Sequence, residues 1–127
     1  MPIDHVSVGS NDIARARSFY RSTLAPLGLR IVAEEAGRYC DFGTEGVAFS
    51  IETPANGLPA SPGNGAHVCF KATSRAEVTA FHAAALVAGG RDAGPPGPRP
   101  HYGEHYFAAF VFDLDGNKLE ACCHSPA

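Results

Sequence analysis

The chain repeats itself, and the repeat constrains its fold more than any other feature. His5-Val6 and His67-Val68 stand 62 positions apart (67 − 5). At that offset Ala14 falls on Ala76, Phe19 on Phe81, Leu24 on Leu86 and Gly28 on Gly90, without a gap. A module of roughly 60 residues closes a core poorly by itself. Two such modules can pair. Equivalent strands then face each other across a shared cavity, and the histidine heading each copy points into it.

Periodicity supplies the elements of each copy. Ile3 to Val8 alternates, with His5 between Ile3 and Ser7 on one face and Val6 and Val8 on the other, which predicts a strand. Asn11 and Asp12 offer N-cap oxygens, and Ile13, Ala16, Phe19, Tyr20 and Leu24 make one buried helical face. Pro26 and Gly28 end that helix. Strand-like runs follow at Leu29 to Ala33, Tyr39 to Phe42 and Val47 to Glu52, separated by Gly37 and Glu45-Gly46. The Pro/Gly-rich stretch 54–64 reads as a linker. The second copy opens with a strand over Ala66 to Lys71. Ser74 with Glu77 then signals a capping box, and Val78, Phe81 and Ala85 continue a helical face that Gly89-Gly90 stops. A weak strand slot near Arg91 to Ala93 precedes a Pro/Gly loop from Gly94 to Pro100. Two clearer strands, Tyr106 to Asp113 and Asn117 to Cys122, flank the turn Asp115-Gly116. The expected architecture is α+β: one domain over 1–127, with a βαβββ module at 1–53 and another at 65–124. The two modules form a curved mixed sheet around a cavity, with the helices outside.

Composition excludes several function classes. A net charge of −3 gives no footprint for nucleic acid or an anionic membrane. There is no apolar run long enough to span a bilayer, and no basic stretch followed by an apolar one precedes the first strand. The expected location is therefore cytoplasmic. Cys40, Cys69, Cys122 and Cys123 form no CxxC pair, so they read as free, buried or half-buried thiols.

With Asp4-His5-Val6, the helix run Asp12 to Tyr20 (DIARARSFY), Leu24 and Leu27-Gly28 in the first copy, the chain resembles the vicinal oxygen chelate superfamily. That superfamily holds glyoxalase I, bleomycin-resistance and extradiol dioxygenase proteins. Gly65-Ala66-His67-Val68 and the terminal Phe110 to Glu120 (FVFDLDGNKLE) carry the resemblance through the second copy. It implies a cavity between paired modules, a divalent metal in many members, and homodimers among the short ones. Ligands from the two modules of some dimeric relatives meet only across the subunit interface.

The resemblance maps metal-ligand positions onto His5, His67 and Glu120. Strand alternation turns all three side chains away from the helix-covered face: His67 with Cys69 and Lys71, Glu120 with Lys118 and Cys122. Two imidazoles and a carboxylate suit Zn, Ni, Fe, Mn or Co, with open positions for water or substrate. The alternative is that the histidines are remnants of duplication in a metal-free protein. The fourth ligand is open between two residues. Glu52 follows Ile51 as Glu120 follows Leu119, but aligning the turns Glu45-Gly46 and Asp115-Gly116 puts Ser50 opposite Glu120. Arg99, His101, Tyr102, His105 and Tyr106 lie on a loop entering an inner strand and offer a grip for a planar or anionic small molecule. Phe107, Phe110 and Phe112 read as wall and core.

Three functions fit this reading. In the first, a metal chelates two neighbouring oxygens of a small substrate, with Glu120 and Glu52 as catalytic carboxylates and Glu52 moving the proton. In the second, His5, His67 and Glu120 form a facial triad for an Fe(II) dioxygenase. In the third, the protein sequesters a small molecule without metal, as bleomycin-resistance proteins do.

Overall fold

A computed structural model describes residues 2–127. Its order is β1 (Val6–Gly9), α1 (Ile13–Leu24), β2 (Arg30–Glu35), β3 (Tyr39–Gly43), β4 (Val47–Glu52), β5 (Val68–Lys71), α2 (Arg75–Val87), β6 (Arg91–Pro98), β7 (Phe107–Phe112) and β8 (Lys118–Cys123). The two βαβββ modules of the sequence are both present. The curved sheet is built as two four-stranded mixed sheets, ordered β1-β4-β3-β2 and β5-β8-β7-β6. In each, the first strand of the module runs parallel to the last, and the remaining pairs are antiparallel.

The helices form where the sequence signals them. Asp12 accepts the Arg15 backbone N–H at 3.0 Å and caps α1. Asn11, its neighbour, does something else: its side chain exchanges two hydrogen bonds with the Ala60 backbone and pins the linker. Gly28 closes the chain after α1 with φ +81, a conformation that costs other residues strain. In α2, Ser74 accepts from Glu77 N, and the Glu77 carboxylate reaches back to the backbone N–H and hydroxyl of Thr73. This is the reciprocal logic of a capping box moved out by one residue.

Phe19 and Phe81, the repeat-related aromatics, are both fully buried and anchor their helices in a common core with Tyr20, Phe42, Phe49 and Phe70. Not every identity is equivalent in space. Leu24 is fully buried, whereas Leu86 is 41% exposed near the end of α2.

Three expectations are corrected. The first strand of each module is shorter than its alternation suggests, so His5 and His67 stand immediately before β1 and β5. The stretch from Gly94 to Pro98 is not loop but part of β6. Prolines lack the donor a central strand needs, yet β6 is an edge strand paired only with β7. Register shifts between Asp92 and Gly97 absorb the irregularity. Finally, Asn117 lies in the turn that precedes β8, not in the strand.

Candidate functional site

The faces turned away from the helices carry the chemistry. Glu120 stands in the middle of β8, opposite Cys69 of β5. It is 3% exposed, an uncommon position for a carboxylate, which needs hydrogen-bond partners to stay there. It has two. His67 Nε2 lies 2.9 Å from Oε1, and the Tyr106 hydroxyl donates to Oε2 at 2.5 Å. Burial, and then the bond to Glu120, hold Tyr106 well above the ordinary phenol range, so it remains a donor.

These three residues line a cavity of about 520 Å³ with Ala93, Gly94, Arg99, Tyr102, Phe110 and Lys118. The Arg99 guanidinium is fixed by the carbonyls of Pro95 and Gly97 at 2.8 and 2.9 Å. It sits 5.6 Å from the Phe110 ring centre, and the Lys118 ammonium sits 5.1 Å from the same centre. The cavity thus offers two cations, phenol rings and one buried carboxylate. Of the loop residues singled out in the sequence, Arg99, Tyr102 and Tyr106 line it. His101 and His105 are exposed and do not, although the His101 ring packs at a tilt of 44° against Tyr102 with centroids 4.1 Å apart.

His5 lines a concavity of about 410 Å³ with Asp4, Tyr39, Asp41, Val47, Ser50 and Glu52, and a second, of about 450 Å³, that it shares with His67 and Cys69 across the two modules. Its Nδ1 lies 2.7 Å from Asp4 Oδ1. A carboxylate on Nδ1 fixes the tautomer that leaves Nε2 free as a ligand atom. Sheet register bears directly on the fourth position. Ser50 pairs with Ser7 as Glu120 pairs with Cys69, so Ser50 is the counterpart of Glu120. Glu52 lies two residues further along, exposed, opposite Gly9 and Tyr39. The Ser50 hydroxyl is buried and has no hydrogen-bond partner.

Glu120 therefore shares its cavity with His67 but not with His5, while His5 stands with Ser50 and Glu52 on the first module and meets His67 only along the second concavity. Among the described residues, the one cluster of three potential ligand atoms closing within 4.8 Å is Cys69, Glu120 and Cys122, without either histidine. The Cys69 and Cys122 sulfurs are 3.3 Å apart. Although the residue as a whole is exposed, the Cys69 thiol is turned towards the sheet, and its desolvation there, followed by the contact with Cys122, raises it. All four cysteines are unbridged; Cys40, Cys122 and Cys123 are buried, whereas Cys69 is exposed and departs from the buried or half-buried thiol expected of it. What sequence reasoning missed is that two of them adjoin Glu120. The signal was present, because alternation places Cys69 with His67 and Cys122 with Glu120.

The donor atoms suit a metal in part. Two ligands bonded to one tetrahedral ion at 2.0–2.1 Å stand about 3.3–3.4 Å apart; His67 Nε2 and Glu120 Oε1 stand 2.9 Å apart, the spacing of the hydrogen bond between them, and a small separation would admit an ion. The His5 half, with a free Nε2 and an unsatisfied Ser50 hydroxyl beside it, is likewise short of a partner.

Residues 2–121 match the model of the Glyoxalase/Bleomycin resistance protein/Dioxygenase superfamily. A glyoxalase/bleomycin resistance protein from Albidiferax ferrireducens T118 is 36% identical, with 97% of this chain and 98% of that one aligned and a TM-score of 0.86. The fold is also that of a lactoylglutathione lyase from Agrobacterium tumefaciens (22% identity, 95% and 92% covered, TM-score 0.67). It is shared by the fosfomycin resistance protein FosX from Listeria monocytogenes (16% identity, 97% and 93% covered, TM-score 0.67). A comparison with curated proteins gives no match.

Proposed function

The chain belongs to the glyoxalase/bleomycin resistance protein/dioxygenase superfamily, and on that premise we propose that it binds a divalent metal across a homodimer and acts on a small molecule with neighbouring oxygens. His67 and Glu120 of one protomer would hold the ion together with His5 of its partner, with Glu52 or Ser50 of that partner at the fourth position. The observation that carries this reading is the division of the donors. Each module presents an incomplete set, and the repeat makes the two sets complementary under a twofold axis.

The metal, when bound, would polarise the substrate's two oxygens and stabilise an anion formed on them. The protein's own residues supply the rest. Tyr106 holds Oε2 of Glu120 and thereby fixes the carboxylate's orientation. Asp4 orients His5. Arg99 and Lys118, anchored at Phe110, attract the substrate's negative charge into the cavity. Glu52, exposed at the rim of the His5 concavity, is the candidate base.

A second reading has its own support. Glu120 is already satisfied by His67 and Tyr106 without an ion, which is what a metal-free binding site for an anionic aromatic ligand would require. Elemental analysis of the purified protein before and after EDTA, alongside His5→Ala and Glu120→Ala, separates the two. About one equivalent of metal per chain, removed by either substitution, supports the metal reading. Full metal content in both variants sinks it. Absence of metal, together with ligand stabilisation that EDTA does not alter, favours sequestration.

A further inference from the structure

β5 and β8 run parallel, pairing Cys69 with Glu120 and Lys71 with Cys122. Side chains at alternate positions share a face, so Glu120 and Cys122 project together and Cys69 meets them from the next strand. The result is two thiol sulfurs 3.3 Å apart and a carboxylate, with all three ligand atoms within 4.8 Å of one another. A disulfide needs its sulfurs at about 2.05 Å. Two thiolates on one zinc, each bonded at about 2.3 Å in a tetrahedron, stand about 3.8 Å apart. The observed spacing is much nearer the second figure.

We propose that Cys69, Cys122 and Glu120 form a thiol-based metal site closed within a single chain, suited to zinc or another thiophilic cation. The site goes beyond the histidine reading above and shares only Glu120 with it, so the two compete for that carboxylate. Three protein ligands of this kind leave a fourth tetrahedral position for water or an incoming small molecule. Cys69 is exposed, which gives the cation a path from solvent, while Cys122 and Glu120 are buried and fix the geometry. Tyr106 adds the outer support that metal sites generally require, through its bond to Glu120 Oε2. Soft sulfur donors select zinc over magnesium or calcium, whereas the histidine and carboxylate set alone does not discriminate among Fe, Mn, Ni and Zn.

The test uses the full, reduced protein titrated with Co(II). Thiolate coordination produces an intense near-ultraviolet sulfur-to-cobalt absorption that nitrogen and oxygen ligands do not give. The expected result is that this band saturates at about one equivalent per chain, disappears on adding Zn(II), and is lost in Cys69→Ser and in Cys122→Ser. It persists in His5→Ala, which disables only the site proposed above. Cobalt bound without the sulfur band, no cobalt bound, or a band surviving both serine substitutions overturns the inference. Should the serine variants fail to fold, the wild type gives an independent readout. Zinc should block alkylation of Cys69 by N-ethylmaleimide, and EDTA should restore it; labelling unaffected by zinc overturns the inference equally.

Discussion

The hydroxyl of Tyr20, on α1, donates to the carboxylate of Asp113, in the turn after β7, and so ties the first module's helix to the second module's sheet. The same carboxylate accepts the backbone N–H groups of Asp115 and Asn117 at 2.9 and 2.8 Å, and the Asn117 amide at 2.9 Å. That amide also donates to the Gly9 carbonyl at 3.1 Å, at the end of β1. The D-x-D-G-N motif is thus a clasp between modules, not part of the ligand cavity.

Removing either end of the clasp should cost unequal amounts. Tyr20→Phe leaves Asp113 with its other three partners, and the loss should be about 1–2 kcal/mol. Asp113→Ala orphans several buried donors at once and should cost about 3–4 kcal/mol. Urea unfolding with an unchanged m-value would give both numbers. Equal losses would mean that Tyr20 is the only energetically important partner.

Alkaline pH should destabilise the fold through buried acids. Burial raises Cys40 to about 11, and burial beside Asp113 raises Tyr20 well above its ordinary value. Unfolded cysteine ionises near 8.5 and tyrosine near 10. Between those values and the folded ones, the unfolded chain has released protons that the native state still holds, so stability falls as pH rises. The contribution of these two groups should be flat below about pH 8 and decline from there through about pH 11, with Tyr20 adding to the slope above about pH 10. Cys40→Ala should flatten the lower part of that decline. A slope unchanged in the variant would assign it to other groups, Cys69 among them.

The sequence reveals the modules because burial imposes period and because the repeat states each face twice. Phe19 and Phe81 show both effects. Alternation also assigns the correct face to His67, Cys69, Glu120 and Cys122. What it leaves hidden is proximity. Cys69 and Cys122 lie 53 residues apart, and only the parallel pairing of β5 with β8 brings their sulfurs together. Ser50 and Glu52 share a face, so periodicity does not choose between them, whereas register opposes Ser50 to Ser7. β6 is obscured for another reason: Pro95, Pro96 and Pro98 forbid a central strand but not an edge.

Tyr106→Phe should test the support of Glu120 without touching a ligand atom. Phenylalanine keeps the ring beside His124, whose centroid is 5.0 Å away, and removes the hydroxyl that bonds Oε2 and also meets the Cys69 and Cys122 thiols. A carboxylate freed on one side is less well oriented, and loss of such an outer partner typically lowers metal affinity 10–100-fold. Competition against a chelator of known affinity would measure this. Unchanged affinity would show that His67 alone sets the carboxylate, or that Glu120 holds no metal.

The homodimer reading makes a prediction about mixtures. His5→Ala disables the first-module half of every site, and Glu120→Ala disables the second-module half, so each variant alone should bind no metal at the shared site. If the halves come from different chains, a heterodimer of the two variants has one site broken on both sides and one fully intact. Unfolding the variants together and refolding them gives statistical exchange. Roughly one quarter of the wild-type sites should then return, since half the dimers are mixed and each restores one site of two. Isotopically labelling one variant lets mass spectrometry confirm that mixed dimers have formed. Restored metal would place His5 and Glu120 on opposite sides of the subunit interface. Mixed dimers without restored metal would remove the cross-chain site and leave the cavity at Glu120 to be explained within one protomer.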